Sequence, residues 1–363
     1  MKQSVRQLLQ VDIKSIVKNT KVNSQTSDGV LTPKRQKQVS KENSRKTKGS
    51  DKFQTTIKSL YDRYNKHYPE PKRSDLALVN FFFNKAKVQF EWSAPTFNDI
   101  PGEKVRRAME KRQKAAQILL EEEKSYISSK SLASDPNLSM LESEFTHLEH
   151  KDQNKLYHGK TEGIPFELIN QLPEIAFLGR CNSGKSTLLN NITTEVTRNH
   201  LNEYANASKK AGFTKTINCF NVGKRFRIID TPGYGTKGTA EQGRLTMDYL
   251  QKRRELRRSF LLISANQGFS EYDATMVDLL VSNGVPFEIV LTKMDTVKDM
   301  TQVERIIEES NVLNLPTSPR FIFLNSMTNK HCQKRFGIDI LRYVILDACG
   351  LSPGVKPSKI KKN

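Results

Sequence analysis

Little in this 363-residue chain suits a disulfide scaffold, a zinc module or a membrane span. Its four cysteines, Cys181, Cys219, Cys332 and Cys349, are scattered and form no C-x-x-C pair. That argues against a zinc site and a disulfide framework, and for a reducing compartment. No apolar run approaches the roughly 18–20 residues that cross a bilayer, so a soluble protein is expected. Hydrophobic residues make up only 36% of the chain, and part of it is therefore expected to lie outside any packed core. Acidic residues are scarce as well: 39 Asp and Glu stand against 59 Lys and Arg, a formal net charge of +20. A surplus of that size points to a polyanionic partner, either nucleic acid or an anionic membrane surface.

What is present comes in segments. Between Met1 and Ser50 three acidic residues face twelve Lys and Arg. Val5, Leu8, Leu9, Ile13, Ile16 and Val17 fall on one helical face, with Lys2, Arg6, Lys14 and Lys18 around the other. This basic, amphipathic, acid-poor start resembles an organelle-targeting presequence; the competing reading is a basic partner-binding arm. Residues 1–55 are thus expected to be a basic, disordered or targeting segment. Residues 56–169 form an N-terminal extension in which Lys87–Trp92 alternates like a half-buried strand. Gly102 to about Ser129 has a charged helical pattern, open to two readings: an RNA-contacting basic helix or a solvated face. Residues 130–165 are polar and Ser-rich, a linker or surface excursion.

From Pro165 the pattern becomes a β/α alternation. Strands are expected at Glu174–Leu178, Thr216–Val222, Arg225–Ile229, Ser259–Ser264, Pro286–Leu291 and Arg320–Leu324. Helices are expected near Lys185–Ile192, Ala240–Arg254, Tyr272–Ser282, Thr301–Glu309 and Ile338–Cys349. The short Gly223-Lys224 turn makes the second and third strands an antiparallel hairpin. The expected fold is a doubly wound α/β domain over residues 170–350, with a six-stranded, mostly parallel sheet and ligands at the C-terminal strand ends. A basic tail follows at 351–363.

Gly179-Arg180-Cys181-Asn182-Ser183-Gly184-Lys185-Ser186 fits G-x-x-x-x-G-K-[ST] between a strand and a helix. This is the phosphate-binding loop, in which backbone N–H groups and a helix N-terminus converge on phosphate oxygens. Lys185 would reach the β- and γ-phosphates, and the Ser186 hydroxyl would ligate Mg²⁺, with Thr187 continuing the helix. In the Gly212-Phe213-Thr214-Lys215-Thr216 loop, Thr214 could offer Mg²⁺ a hydroxyl and the γ-phosphate an N–H. Asp230-Thr231-Pro232-Gly233 puts a carboxylate beside the loop and a glycine where backbone can approach the γ-phosphate. Thr292-Lys293-Met294-Asp295 places an acceptor for guanine N1–H and the 2-amino group, and Lys293 over the base plane. Adenine offers neither donor, so such a site rejects it. After the last strand, Leu324-Asn325-Ser326 supplies backbone for guanine O6.

On these motifs residues 170–348 resemble the EngB family of Era-related GTPases, a P-loop G domain. Further support lies in Pro173–Asn190, Ser208–Thr214, Asp230–Gly235, Pro286–Asp295 and Gly337–Leu341. The family's pre-loop element resembles Val88–Ala94 to Pro101, so residues 86–101 would pack on the G domain and 102–165 would be an insertion. The resemblance implies GTP and GDP as ligands, Mg²⁺ at Ser186 and Thr214, slow hydrolysis, and a role in assembling the large ribosomal subunit. It also implies a ribosomal precursor or rRNA as partner, a monomer, and, with the N-terminal segment, the mitochondrial matrix; a cytoplasmic or nucleolar location is the alternative. Departures are Phe213 for the usual Arg, Ser183 for Val, Ala265 for Asp, and Tyr234 where many GTPases place a water-orienting Gln. Catalysis would then rest on Lys185, Thr214 and Asn182, the last where potassium-stimulated relatives hold K⁺; a group supplied by the ribosome is the equal alternative. The other class of reading is a guanine-nucleotide-gated adaptor with negligible hydrolysis that binds a protein or membrane partner.

Overall fold

The computed structural model describes residues 55–131, 172–195, 198, 200–205, 214–235, 238–329, 332 and 334–358. The expected targeting segment up to residue 54, most of the 130–165 stretch, Gly212 and Phe213 lie outside them.

Seven strands form one sheet in the order β1-β3-β4-β2-β5-β6-β7. They are β1 (Val88–Ala94), β2 (Glu174–Gly179), β3 (Ile217–Val222), β4 (Phe226–Asp230), β5 (Leu256–Ser264), β6 (Phe287–Thr292) and β7 (Phe321–Phe323). From β4 to β7 every neighbouring pair is parallel, while β3 runs antiparallel to both β4 and β1. The six strands read from the sequence are all there, with ends shifted by up to three residues. The expected count of six is corrected to seven. The hairpin strand β3 has a second edge, and β1 pairs along it from Val88↔Val222 to Ala94↔Ile217.

The helices are α1 (55–64), α2 (Arg73–Lys85), α3 (Pro101–Ser131), α4 (Lys185–Ile192), α5 (Ala240–Lys252), α6 (Glu271–Ser282), α7 (Thr301–Glu309) and α8 (Ile338–Ala348). Strand side chains alternate between the two faces, as the period of two requires. Along β5, Phe260 and Leu262 join Phe82, Leu188 and Val344 of α2, α4 and α8. Leu261 and Ile263 point the other way, to Leu60, Val277 and Val303 of α1, α6 and α7. A third cluster packs Trp92, Cys219 and Ile229 against Leu245 and Tyr249 of α5.

Residues 55–100 are therefore built into the core. Phe82 and Phe83 meet Phe226 at ring distances of 6.2 and 6.0 Å. After α1, the Asn65 amide donates to Phe321 O at 2.9 Å and accepts from Phe321 N at 2.8 Å. A side chain thus occupies the hydrogen-bonding groups that β7 would otherwise leave open at the sheet edge.

Candidate nucleotide-binding site

All the parallel strands end at one rim, and the motifs sit there. β2 runs into the loop at Gly179, whose φ of 153° and surroundings admit no side chain. A Cβ there would lie 2.5 Å from Ser183 Oγ and 2.7 Å from Leu262 O. The loop then turns through Asn182 at φ 66° and Gly184 at φ 99° into the first turn of α4. A non-glycine residue at positive φ costs of order 1–3 kcal/mol and persists where its surroundings hold it. Here they do: Thr292 Oγ1 donates to Ser183 O at 2.7 Å, and Lys293 Nζ donates to Asn182 O at 2.6 Å. Lys293 itself sits at φ 57°.

Lys185 is buried inside this loop, 7% exposed, and donates to Gly179 O at 2.8 Å and Arg180 O at 3.2 Å. Burial lowers its pKa, against the nearby charge of Asp230. Ser186, one residue on, donates from Oγ to Asp230 Oδ2 at 3.0 Å. Asp230 Oδ1 and Ser183 Oγ are buried with no hydrogen-bond partner, and burial raises the Asp230 pKa. Asp230 also faces a cavity of about 320 Å³ lined by Thr214, Lys215, Thr216, Phe90 and Phe220. Chemically this is a buried ammonium and the free N–H groups of a helix start, next to a carboxylate with a spare oxygen. Such a set attracts an anion and a hard cation together.

Of the remaining predicted residues, those that follow β4, β6 and β7 lie on the same rim, while Gly212 and Phe213 are outside the described residues. Thr231 Oγ1 donates to Phe177 O at 2.7 Å and pins the Asp230–Gly233 segment to β2. Gly233 lies so close to the loop that a Cβ would meet Cys181 Sγ at 2.9 Å and Cys181 N at 3.0 Å. Asp295 follows β6, with its pKa raised by burial. Leu324 is buried, and Asn325 folds its side chain into its own loop, donating to Met327 O at 2.9 Å and accepting from Phe336 N at 2.8 Å. Ser326 and Thr187 are half-buried.

Residues 174–293 match the family described as 50S ribosome-binding GTPase. MIOREX complex component 8 of Saccharomyces cerevisiae is 42% identical over 292 residues, 80% of this chain and 79% of that protein. The probable GTP-binding protein EngB of Roseobacter denitrificans is 34% identical over 182 residues, 48% of this chain and 78% of that protein. The chain belongs to the EngB family of GTPases. A solved structure of a probable GTP-binding protein engB covers 49% of this chain and 98% of its own at 21% identity and a TM-score of 0.34.

Within this EngB-type site the structure adds residues that the motifs do not contain. Asp273, fully buried, receives Tyr234 OH at 2.8 Å and forms an ion pair with Arg180 Nε at 3.0 Å. It also accepts the Ser270 N–H at 3.0 Å at the start of α6. The Ser270-x-x-Asp273 spacing is a helix-start signature, visible in the sequence but not tied to the loop by it. Asn329 Nδ2 donates to Asp295 O at 2.8 Å and Oδ2 at 3.1 Å. Arg335 Nη1 donates to Asn191 Oδ1 at 2.6 Å, joining α4 to the loop after β7. No sequence spacing announces these last two pairs.

Proposed function

We propose that this EngB-type protein binds GTP and GDP, hydrolyses GTP slowly with Mg²⁺, and acts as a switch in assembly of the mitochondrial large ribosomal subunit. The observation that carries the reading is the buried Lys185 and the half-partnered Asp230–Ser186 pair on one rim with Asp295. The family description, 50S ribosome-binding GTPase, supports the ribosomal part. The net charge of +20 suits an RNA-rich partner. The mitochondrial matrix is proposed from the acid-poor amphipathic start. Residues 170–350 are proposed as the G domain, acting as a monomer.

The donor set suits the ion. Among the described residues no cluster of His, Cys, Asp and Glu forms a metal cage, and Mg²⁺ is commonly held by one or two protein oxygens plus phosphates. Ser186 and Thr214 would hold it, and Mg²⁺ when bound neutralises charge on the β- and γ-phosphate oxygens. Lys185 gives up two carbonyl partners for phosphate oxygens. The N–H groups from Asn182 to Thr187 orient the phosphates. Asp295 takes guanine N1–H and the 2-amino group, Lys293 covers the base, and backbone at Leu324–Ser326 receives O6. The N–H groups of Thr214 and Gly233, flanked by Phe213, Lys215 and Pro232, would sense the γ-phosphate and order two segments for docking; hydrolysis releases them.

Tyr234 stands where a water-orienting amide would, and its hydroxyl is engaged with Asp273. The attack on the γ-phosphate therefore needs help from elsewhere, and Asn182 is proposed as a K⁺ ligand for it. The same observation favours one second reading, an adaptor gated by guanine nucleotide with negligible hydrolysis. Multiple-turnover phosphate release in KCl and in NaCl, with and without large-subunit precursors, tests both. Turnover raised by KCl and lost in Asn182→Ala is expected. Equal rates in the two salts remove the K⁺ role, and no turnover under any condition leaves the adaptor.

A further inference from the structure

α3 is a 31-residue helix, about 46 Å long at 1.5 Å per residue, and only its start is seated in the body. Glu103, 5% exposed, accepts from Arg253 Nη1 at 2.7 Å and Arg106 Nη1 at 2.6 Å. Arg106 Nη2 reaches on to Glu255 at 2.7 Å. This socket fixes the direction in which the helix leaves the body. Past Glu103, none of its described residues is buried. A helix with no buried face receives no tertiary packing along its length and is marginal by itself, so a partner that orders it adds what the fold does not.

That helix carries a one-sided row of cations, with Glu110 beside it. Lys104, Arg107, Lys111 and Lys114 recur at spacings of three, four and three, which aligns them on one side. They cover about 15 Å of helix axis. Arg107, Lys111 and Lys114 are exposed, and none has an ion-pair partner among the described residues. Lys104 sits 3.6 Å from Asp99. Among the described residues of the helix the large exposed apolar side chains, Ile118, Leu119 and Tyr126, come after the stripe ends. A protein partner would want such an anchor within the contact. A phosphate backbone wants regularly spaced cations and no apolar anchor.

We propose that α3 is an RNA-docking arm, in which Arg107, Lys111 and Lys114 track the phosphate backbone of a duplex in the ribosomal precursor. This rests on the ribosomal reading above and adds the surface that makes the contact. The Glu103–Arg253 socket ties the start of the arm to the body.

The test measures binding of the full chain to a 20-base-pair RNA duplex over a range of KCl, for the parent and for a triple variant (Arg107→Gln, Lys111→Gln, Lys114→Gln). With about 0.7–0.9 counterions released per phosphate contact, the slope of log affinity against log salt should fall by about 2–3. Affinity near 0.15 M salt should fall tenfold or more, while GTP affinity and thermal midpoint stay at the parent values. A triple variant with Glu121→Gln, Glu122→Gln and Glu123→Gln should bind RNA as well as or better than the parent. The arm is overturned if the basic-stripe variant keeps the parent slope and affinity, or if polyglutamate rather than RNA competes for the stripe. A parent that binds no RNA at any salt overturns it as well. Co-sedimentation of the parent with ribosomal precursors is read separately: if it persists with the stripe variant, the ribosomal reading stands without the arm.

Discussion

Two buried clusters of charge sit at opposite ends of the same strands, and they are finished differently. At the N-terminal ends, both oxygens of Glu174 are met, by Arg253 at 2.6 and 2.8 Å and by Tyr249 OH at 2.6 Å. Glu91 takes Arg227 Nε at 2.6 Å and Asn221 Nδ2 at 2.7 Å. Glu103, Arg106 and Glu255 extend the chain of pairs into α3. At the C-terminal rim, Lys185 meets carbonyls instead of a carboxylate, and Asp230 Oδ1 and Ser183 Oγ meet nothing. Asn182 and Lys293 add positive φ angles there. In the first cluster Glu255 Oε2 lacks a hydrogen bond but lies 3.2 Å from Arg253 Nε, so every carboxylate still faces a guanidinium. Buried charge met in this way holds parts together, and buried charge left half-matched is a site waiting for a ligand. The distinction assigns structure to the first cluster and chemistry to the second.

The comparison can be broken most forcefully at its structural end. Glu174→Ala takes from the buried Arg253 two of its hydrogen bonds, leaving it Glu103, and takes from Tyr249 OH the carboxylate it donates to, which should cost about 3–5 kcal/mol. The thermal midpoint should drop by several degrees or more in the absence of nucleotide; an unchanged midpoint would make the cluster incidental. At the other end the sign of the effect changes. Asp295→Asn should leave the midpoint alone but weaken GTP at least about a hundredfold, because a donor replaces the acceptor of two guanine hydrogens. Xanthosine triphosphate, whose 2-keto oxygen can accept from an asparagine amide, should gain in a competition assay.

The same carboxylate sharpens the picture through pH. Burial raises the Asp295 pKa above the ordinary aspartate value, and only the ionised form accepts both guanine hydrogens. GTP affinity should therefore fall as pH drops through that raised pKa, at a higher pH than an unperturbed aspartate would give. A titration whose acid limb survives unchanged in Asp295→Asn would assign it to another group. The smallest effect is expected at Ser183→Ala. Removing a buried hydroxyl that has no partner should leave the ligand-free protein as stable or stabilise it by up to about 1 kcal/mol. A clear loss in a denaturant titration would show that the hydroxyl is satisfied after all.

The rim was legible in the sequence because its chemistry is local. Gly179–Ser186, Asp230–Gly233 and Thr292–Asp295 each carry their spacing within a few residues, and their order along the chain places them at successive strand tips. The base cluster was not legible, since Glu103 and Arg253 lie 150 residues apart, and a Glu or Arg in a charged helix reads as solvated. For the same reason β1 was seen as a strand but not as the seventh member of the sheet. Its alternation shows a half-buried face, while its partner is set by the free edge of β3, 123 residues away at the Ser93–Thr216 contact. Asn65 capping β7 and Asn329 holding Asp295 belong to this class too. Single polar side chains that satisfy a distant backbone leave no periodic trace.

The central claim is that the rim is a guanine-specific triphosphate site. It is tested most directly by competition of unlabelled GTP and ATP against a fluorescent GTP analogue on the full chain in Mg²⁺. GTP should displace the analogue at concentrations at least about a hundredfold below those ATP requires, since adenine offers Asp295 no pair of donors. ATP competing as well as GTP would contradict the account.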